Sequence, residues 1–151
     1  AGVVAQSTVA DALAPLVDYH LPKQAFSAFN FQARKDGEVH YTSPQGIVTL
    51  RNPHYSVPEQ NWPASPWYGI VLKLLNGKTV GAVVMDHPRN PPSTWHISRN
   101  LWMLNPVIAA IEPITIRPEA PLTLRYRVVV HDGETPTALV ERLSTEWRAT
   151  R

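Results

Sequence analysis

WYGIVLKLLNGKTVGAVVMD, residues 67–86, decides the fold class. Two runs rich in β-branched and aromatic residues flank Asn76-Gly77, the preferred pair for a two-residue type I′ turn, so the stretch predicts an antiparallel hairpin. In that register Leu75 faces Lys78 and Trp67 faces Asp86. Tyr68, Ile70, Leu72 and Leu74 then share the core face with Met85, Val83, Gly81 and Thr79. Trp67, at the far end of the other face, covers Asp86.

Outward from the hairpin the period stays at two. Phe29, Phe31 and Ala33 alternate with Asn30, Gln32 and Arg34, and Lys35-Asp36-Gly37 then turns the chain, so residues 26–42 read as a second hairpin. GIVTLRN is a short strand that leads into the proline-rich loop PHYSVPEQNWPASP. In TWHISR, Thr94, His96 and Ser98 fall on one face and Trp95, Ile97 and Arg99 on the other. ITIRPEAP reads as a strand and turn. In LTLRYRVVVHDG, Leu122, Leu124, Tyr126, Val128 and Val130 form one face; Thr123, Arg125, Arg127, Val129 and His131 form the other, with the Arg125/Arg127 row solvated. Thr135 is placed to cap a helix that starts at Pro136, with Leu139, Val140, Leu143 and Trp147 as its apolar stripe. The first twenty-five residues stay ambiguous between a helix turn and a strand, because Pro15 and Pro22 break any long helix. The expected division is therefore an N-terminal segment over 1–25 and a β-sandwich domain over 26–151.

Composition agrees with an all-β, mostly antiparallel chain ending in one C-terminal helix. The 151 residues suffice for one domain, and 44% of them are apolar, which supports a core. Charged residues are 17% and prolines number 15, about twice the usual share of proline, which disfavours a helical bundle. With 14 Lys and Arg against 12 Asp and Glu, the net charge is +2, and the cations are scattered, so no nucleic-acid footprint is visible. The longest apolar runs are too short to span a bilayer as helices. Cysteine is absent, which excludes disulfides and thiolate chemistry but fixes no compartment; a periplasmic or secreted location stays open. No basic n-region or starting Met is present, so a processed or partial chain is expected.

No phosphate loop, dinucleotide fingerprint, nucleophile elbow or helical zinc motif occurs. The chemistry-bearing residues instead cluster at strand ends. Asp86 and His87 end one strand, Trp95, His96 and Arg99 lie in TWHISR, His131 and Asp132 end another, and Asn30, Gln32 and Arg34 form the polar face of an aromatic strand. Three histidines, two of them beside aspartates, suit a general acid and base near neutral pH. Arg34 and Arg99 suit an anionic group or sugar hydroxyls, and Trp95 or Trp67 a sugar ring's apolar face. His87, His96 and His131 are also the right residue types for a metal, though their spacing is not diagnostic.

GKTVGAVVMDHPRNPP, WHISRN, Asn105-Pro106 and LTLRYRVVVHDG, in that order, resemble the PmoA-like proteins, a bacterial domain family of unknown function that carries a methane-oxygenase label. The resemblance covers about residues 26–147 and falls in the C-terminal half of proteins about twice as long. It implies half of a large β-sandwich similar to the galactose-mutarotase class, tied to carbohydrate breakdown. The oxygenase label does not transfer, since a membrane-bound copper subunit needs transmembrane helices that this sequence lacks.

The leading expectation is a carbohydrate-related protein that binds or acts on a sugar through histidines on a β-sandwich, with no cofactor. His96 and His131 exchange protons, His87 lies beside them, and Asp86 or Asp132 orients an imidazole. Arg34, Asn90, Trp95, Arg99 and Asn30 contact the sugar. The alternatives are a non-catalytic sugar-binding or structural domain, and a metal-dependent enzyme with a histidine site.

Overall fold

A computed structural model describes residues 2–8, 19–21, 30–33, 35, 37–53, 57–97, 99–110 and 112–150. In chain order the strands are β1 (Gly2–Thr8), β2 (Tyr19–Leu21), β3 (Phe31–Gln32), β4 (Glu38–Ser43), β5 (Gly46–Ile47) and β6 (Trp67–Lys73). They continue with β7 (Thr79–Asp86), β8 (Thr94–Trp95), β9 (Met103–Leu104), β10 (Pro106–Val107), β11 (Ile114–Ile116) and β12 (Thr123–Asp132), and the chain closes with α1 (Thr137–Arg148). A six-stranded antiparallel sheet runs β1-β12-β7-β6-β4-β5, and β10-β8, β11-β2 and β3-β9 form small two-stranded pairs. The architecture is all-β and antiparallel with one C-terminal helix, consistent with a β-sandwich. Among the described residues no helix is long and apolar enough to cross a membrane.

The central hairpin forms as expected, but its register differs by one residue. Lys73 pairs with Thr79 and Trp67 with Met85, not with Asp86. The loop holds three residues: Gly77 N–H donates to the Leu74 carbonyl at 2.9 Å and Leu74 N–H to the Lys78 carbonyl at 2.8 Å. Gly77 has φ +82°, whereas Asn76 is not left-handed, and a type I′ turn needs positive φ at both central positions. A type I turn closed by a left-handed glycine therefore replaces it. The one-residue slip exchanges partners between faces. Tyr68 and Ile70 now share a face with Val84 and Ala82, while Trp67 joins Val83 and Met85 on the opposite face.

Both faces are buried. On one, α1 lays Val140, Leu143 and Trp147 against Trp67, Val83, Met85 and Val129. Leu139, expected in that stripe, is exposed. Pro136 occupies the N-cap and Thr135 makes no cap; its Oγ1 instead meets Thr42 Oγ1 at 2.9 Å and ties the helix entry to β4. Arg127 is not on a solvated row: its guanidinium lies 4.8 Å from the Trp147 ring centroid and donates to the Leu143 carbonyl. On the other face the small strand pairs and irregular segments cover Tyr41, Tyr68, Ile70, Ala82 and Val84 with Trp62, Trp95, Ile97 and Leu104. Trp62 and Trp95 pair through their backbones, and their rings reach Tyr68 at centroid distances of 5.3 and 5.1 Å.

The hairpin expected over residues 26–42 does not form as one unit. Residues 26–29, 34 and 36 lie outside the described residues, and β3 pairs with β9, not with β4. β4 pairs with β6, which offers a long apolar edge that a two-stranded ribbon cannot match. In the N-terminal segment, residues 2–8 form an edge strand on β12.

Candidate functional site

β7 ends at Asp86, and the turn His87-Pro88-Arg89-Asn90 follows, closed by Asn90 N–H donating to the His87 carbonyl at 2.9 Å. Pro88 supplies the fixed φ that the second position of such a turn favours. The turn brings the Asn90 carboxamide beside β12, where it stands in for a strand residue. Arg125 N–H donates to Asn90 Oδ1 and Asn90 Nδ2 donates to the Arg125 carbonyl, each at 2.8 Å. The ladder that ends at the Asp86–Tyr126 pair is thus extended by a side chain.

Asn90 Nδ2 also donates to Asp86 Oδ1 at 2.6 Å, and Ser93 Oγ–H donates to Asp86 Oδ2. Burial raises the Asp86 carboxyl above the ordinary aspartate range, with the Ser93 and Asn90 donors pulling against it. Tyr126, opposite on β12, is raised as well, by burial and by the Asp86 charge. The His87 backbone N–H is a third donor to this carboxyl, and two carboxylate oxygens together still offer about one further acceptor direction.

His87 turns to the opposite side from Asp86, as successive strand residues must. Its ring meets Trp147 edge-on at 4.9 Å and is 2% exposed. Arg89 N–H donates to Nδ1, so the imidazole proton sits on Nε2 and reaches Thr150 Oγ1 at 3.2 Å, which itself donates to the Trp147 carbonyl. Burial holds the His87 pKa below the usual histidine value. With both ring nitrogens engaged, His87 pins the end of α1 to the end of β7.

A cleft of about 360 Å³ opens beside this corner. Asp86, His87, Asn90 and Ser93 line it together with Ala64, Ser65 and Pro66, and exposed Arg148 adds a cationic residue to the lining. Arg148, Ser93 and the 64–66 wall carry no motif of their own; only proximity reveals them. The Pro91-Pro92-Ser93 run was their nearest signal in sequence.

Residues 18–145 match a family model described as Family of unknown function (DUF6807). The chain belongs to that family. The DUF6807 match takes in every strand except β1 and most of α1, and the whole Asp86 cluster lies inside it. It carries no activity and no link to the PmoA-like proteins. No curated protein and no solved structure matches the chain.

The remaining expected site residues of this DUF6807 chain are dispersed. His131 pairs across the sheet with Gly81, five residues along β7 from Asp86, or about 17 Å away. Its ring lies over Gly81, where a Cβ would collide with it, and neither ring nitrogen has a hydrogen-bond partner. Asp132 is exposed at the strand end. His96, on the loop face, is 8% exposed and donates from Nδ1 to Asn61 Oδ1 at 3.1 Å; Asn61 Nδ2 in turn donates to Thr94 Oγ1. His87, His96 and His131 therefore do not converge. Among the described residues no group of three or more His, Cys, Asp or Glu is arranged to hold a metal ion, which corrects the three-histidine metal alternative.

Trp95 and Trp67 are fully buried core residues and offer no platform to a ring. Trp67 Nε1 donates to Glu141 Oε1 on α1 and does not cover Asp86. Arg99 donates from Nη2 to the Val48 and Leu50 carbonyls while lying over the Tyr41 and Trp62 rings, so it fastens an irregular segment. Tyr41 is pushed up to about 12 chiefly by burial, against the lowering effect of Arg99. Asn30 is exposed, and Arg34 lies outside the described residues. Of the ten expected positions, Asp86, His87 and Asn90 are brought to one cleft.

Proposed function

We propose that the cleft at the end of β7 binds a sugar or uronic acid, and that Asp86, not a histidine relay, is the group through which any proton is exchanged there. The observation that carries it is a partly buried carboxyl with a raised pKa, bordering a cleft lined by polar side chains, prolines and exposed Arg148. Asn90 and Ser93 hold the carboxyl rigid, so its remaining acceptor direction faces a ligand hydroxyl in a fixed orientation. Arg148 pairs with a uronate carboxylate. The sugar as ligand class is taken from what the sequence resemblance implies, and the family match adds nothing to it. The engaged nitrogens of His87, the bond that His96 makes to Asn61 and the distance to His131 favour binding over histidine catalysis.

Titration calorimetry of the intact chain with glucose, galactose, glucuronate and galacturonate tests this. Expected is saturable binding of at least one, weakened about tenfold in Asp86→Asn. Arg148→Ala weakens the uronates more than the neutral sugars, and His131→Ala leaves binding unchanged. No binding across the panel, or binding indifferent to Asp86→Asn, sinks the proposal.

A further inference from the structure

Beside the Asp86 cleft lies a second, apolar compartment of about 480 Å³. The two meet at Ala64, Pro91, Pro92 and Ser93, which border both. The far wall is built by Val107, Ile108 and Ala110, buried residues after β9, and by half-buried Ile114 of β11. Its hydroxyls are turned to other partners: Ser93 Oγ donates to Asp86, and Thr94 Oγ1 accepts from Asn61 Nδ2 at 3.0 Å. What this wall offers a ligand is methyl groups and proline rings. Exposed Glu112 sets a carboxylate at the rim, opposite in sign to Arg148 in the neighbouring cleft.

We infer that the ligand is a glycoside carrying an uncharged apolar aglycone, with its sugar at Asp86 and Arg148 and its aglycone between Pro92 and the wall of Ile108, Ala110 and Ile114. This rests on the sugar-binding proposal above and adds the substrate class. A free monosaccharide satisfies only the polar cleft and leaves the apolar wall wet, whereas an aryl or alkyl group removes that wall from water. Glu112 repels an anionic aglycone, so the selection is for neutral ones.

Matched methyl and phenyl β-glucosides, β-galactosides and β-glucuronides, titrated into the intact chain by calorimetry, decide it. The phenyl member of at least one pair is expected to bind about tenfold or more tighter. Ala110→Leu, which fills the compartment, abolishes that preference and leaves the methyl glycoside's affinity unchanged. Glu112→Lys, an exposed substitution that does not depend on core repacking, strengthens binding of the 4-carboxyphenyl glycoside about threefold without altering the phenyl one. Equal binding of methyl and phenyl members overturns the inference and leaves the sugar reading standing. Phenol binding as tightly as the phenyl glycosides removes the sugar reading, and the glycoside assignment falls with it. No binding by any probe overturns both.

Discussion

The two faces of the central sheet are buried by different physical means. On the helix face one regular element does the covering: α1 satisfies its own backbone and needs only Val140, Leu143 and Trp147 to seal against Trp67, Val83, Met85 and Val129. On the loop face the cover is irregular, so each backbone group needs its own partner. Side chains provide several. Trp62 Nε1 donates to the Arg51 carbonyl at 2.8 Å, Tyr68 Oη–H to the Pro63 carbonyl at 3.1 Å, and Arg99 and Asn90 each serve two backbone positions. A helix can change residues on its exposed side freely, whereas an irregular cover is held by particular donors and leaves clefts between its turns. The Asp86 cleft and its apolar neighbour meet along the loop after β7, and the loop after β10 lines only the apolar one.

The contrast can be broken first at the tryptophans. Trp95→Ala is expected to cost about 3–5 kcal/mol in chemical denaturation, because the ring is fully buried between Tyr68 and the strand pairs. Trp147→Ala, at the last turn of α1 with an edge in solvent, is expected to cost less, about 2–3 kcal/mol. An equal or larger loss at Trp147 would show that the helix, not the irregular cover, dominates the core.

A smaller effect sharpens the polar half of the comparison. Asn90→Ala removes both bonds to the Arg125 backbone and one to Asp86, for an expected loss of about 2–4 kcal/mol, and it loosens the cleft wall. On the helix face Thr135→Ala removes a single hydroxyl pair to Thr42, for about 1 kcal/mol. Comparable losses in the two variants would mean that the Asn90 bonds are replaced by water and do not hold the turn.

The smallest expected effect separates Asp86 from His87 by pH. A raised Asp86 binds its proton more tightly folded than unfolded, so its contribution is fully present below the ordinary aspartate value of 3.8 and is lost as pH rises through the raised one. A lowered His87 does the reverse: its contribution is present above the ordinary histidine value of 6.5 and is lost as pH falls through the lowered one. Between these values the two slopes oppose. His87→Gln should therefore leave a Tm that declines by a few degrees as pH rises above about 4, and Asp86→Asn a Tm that declines as pH falls below about 6.5. Slopes of the same sign in both variants would contradict the two opposed environments.

Strand content, the long strands β6, β7 and β12 and the position of α1 were readable from the sequence, because period two and period 3.6 are local properties; the faces of β12 were read only in part, since Val130 is exposed and Val129 is buried against α1. Pro136 and Thr135 were read one position apart from their actual roles, since a tertiary bond to Thr42 outcompeted the cap. Asn76-Gly77 announced a turn but not its length, and the resulting one-residue slip moved Val83 and Met85 to the helix face. At the site, Asp86, His87 and Asn90 stood in one motif and could be named together. Ser93, Arg148 and Thr150 could not, because nothing in their spacing marks them; they enter through loop closure and helix docking. The reverse error arose with Trp95, Arg99 and His96, whose polarity or aromaticity suggested ligand contacts but serves an irregular core.

By itself, then, the sequence determined an antiparallel β protein with a closing helix, since side-chain alternation and turn chemistry act over a few residues. Only the tertiary structure decided which histidines stay apart, which side of β7 Asp86 and His87 each occupy, and which residues wall the cleft. Those outcomes depend on strand register and on long-range pairing, where a shift of one residue reverses a face and no local preference chooses between the two.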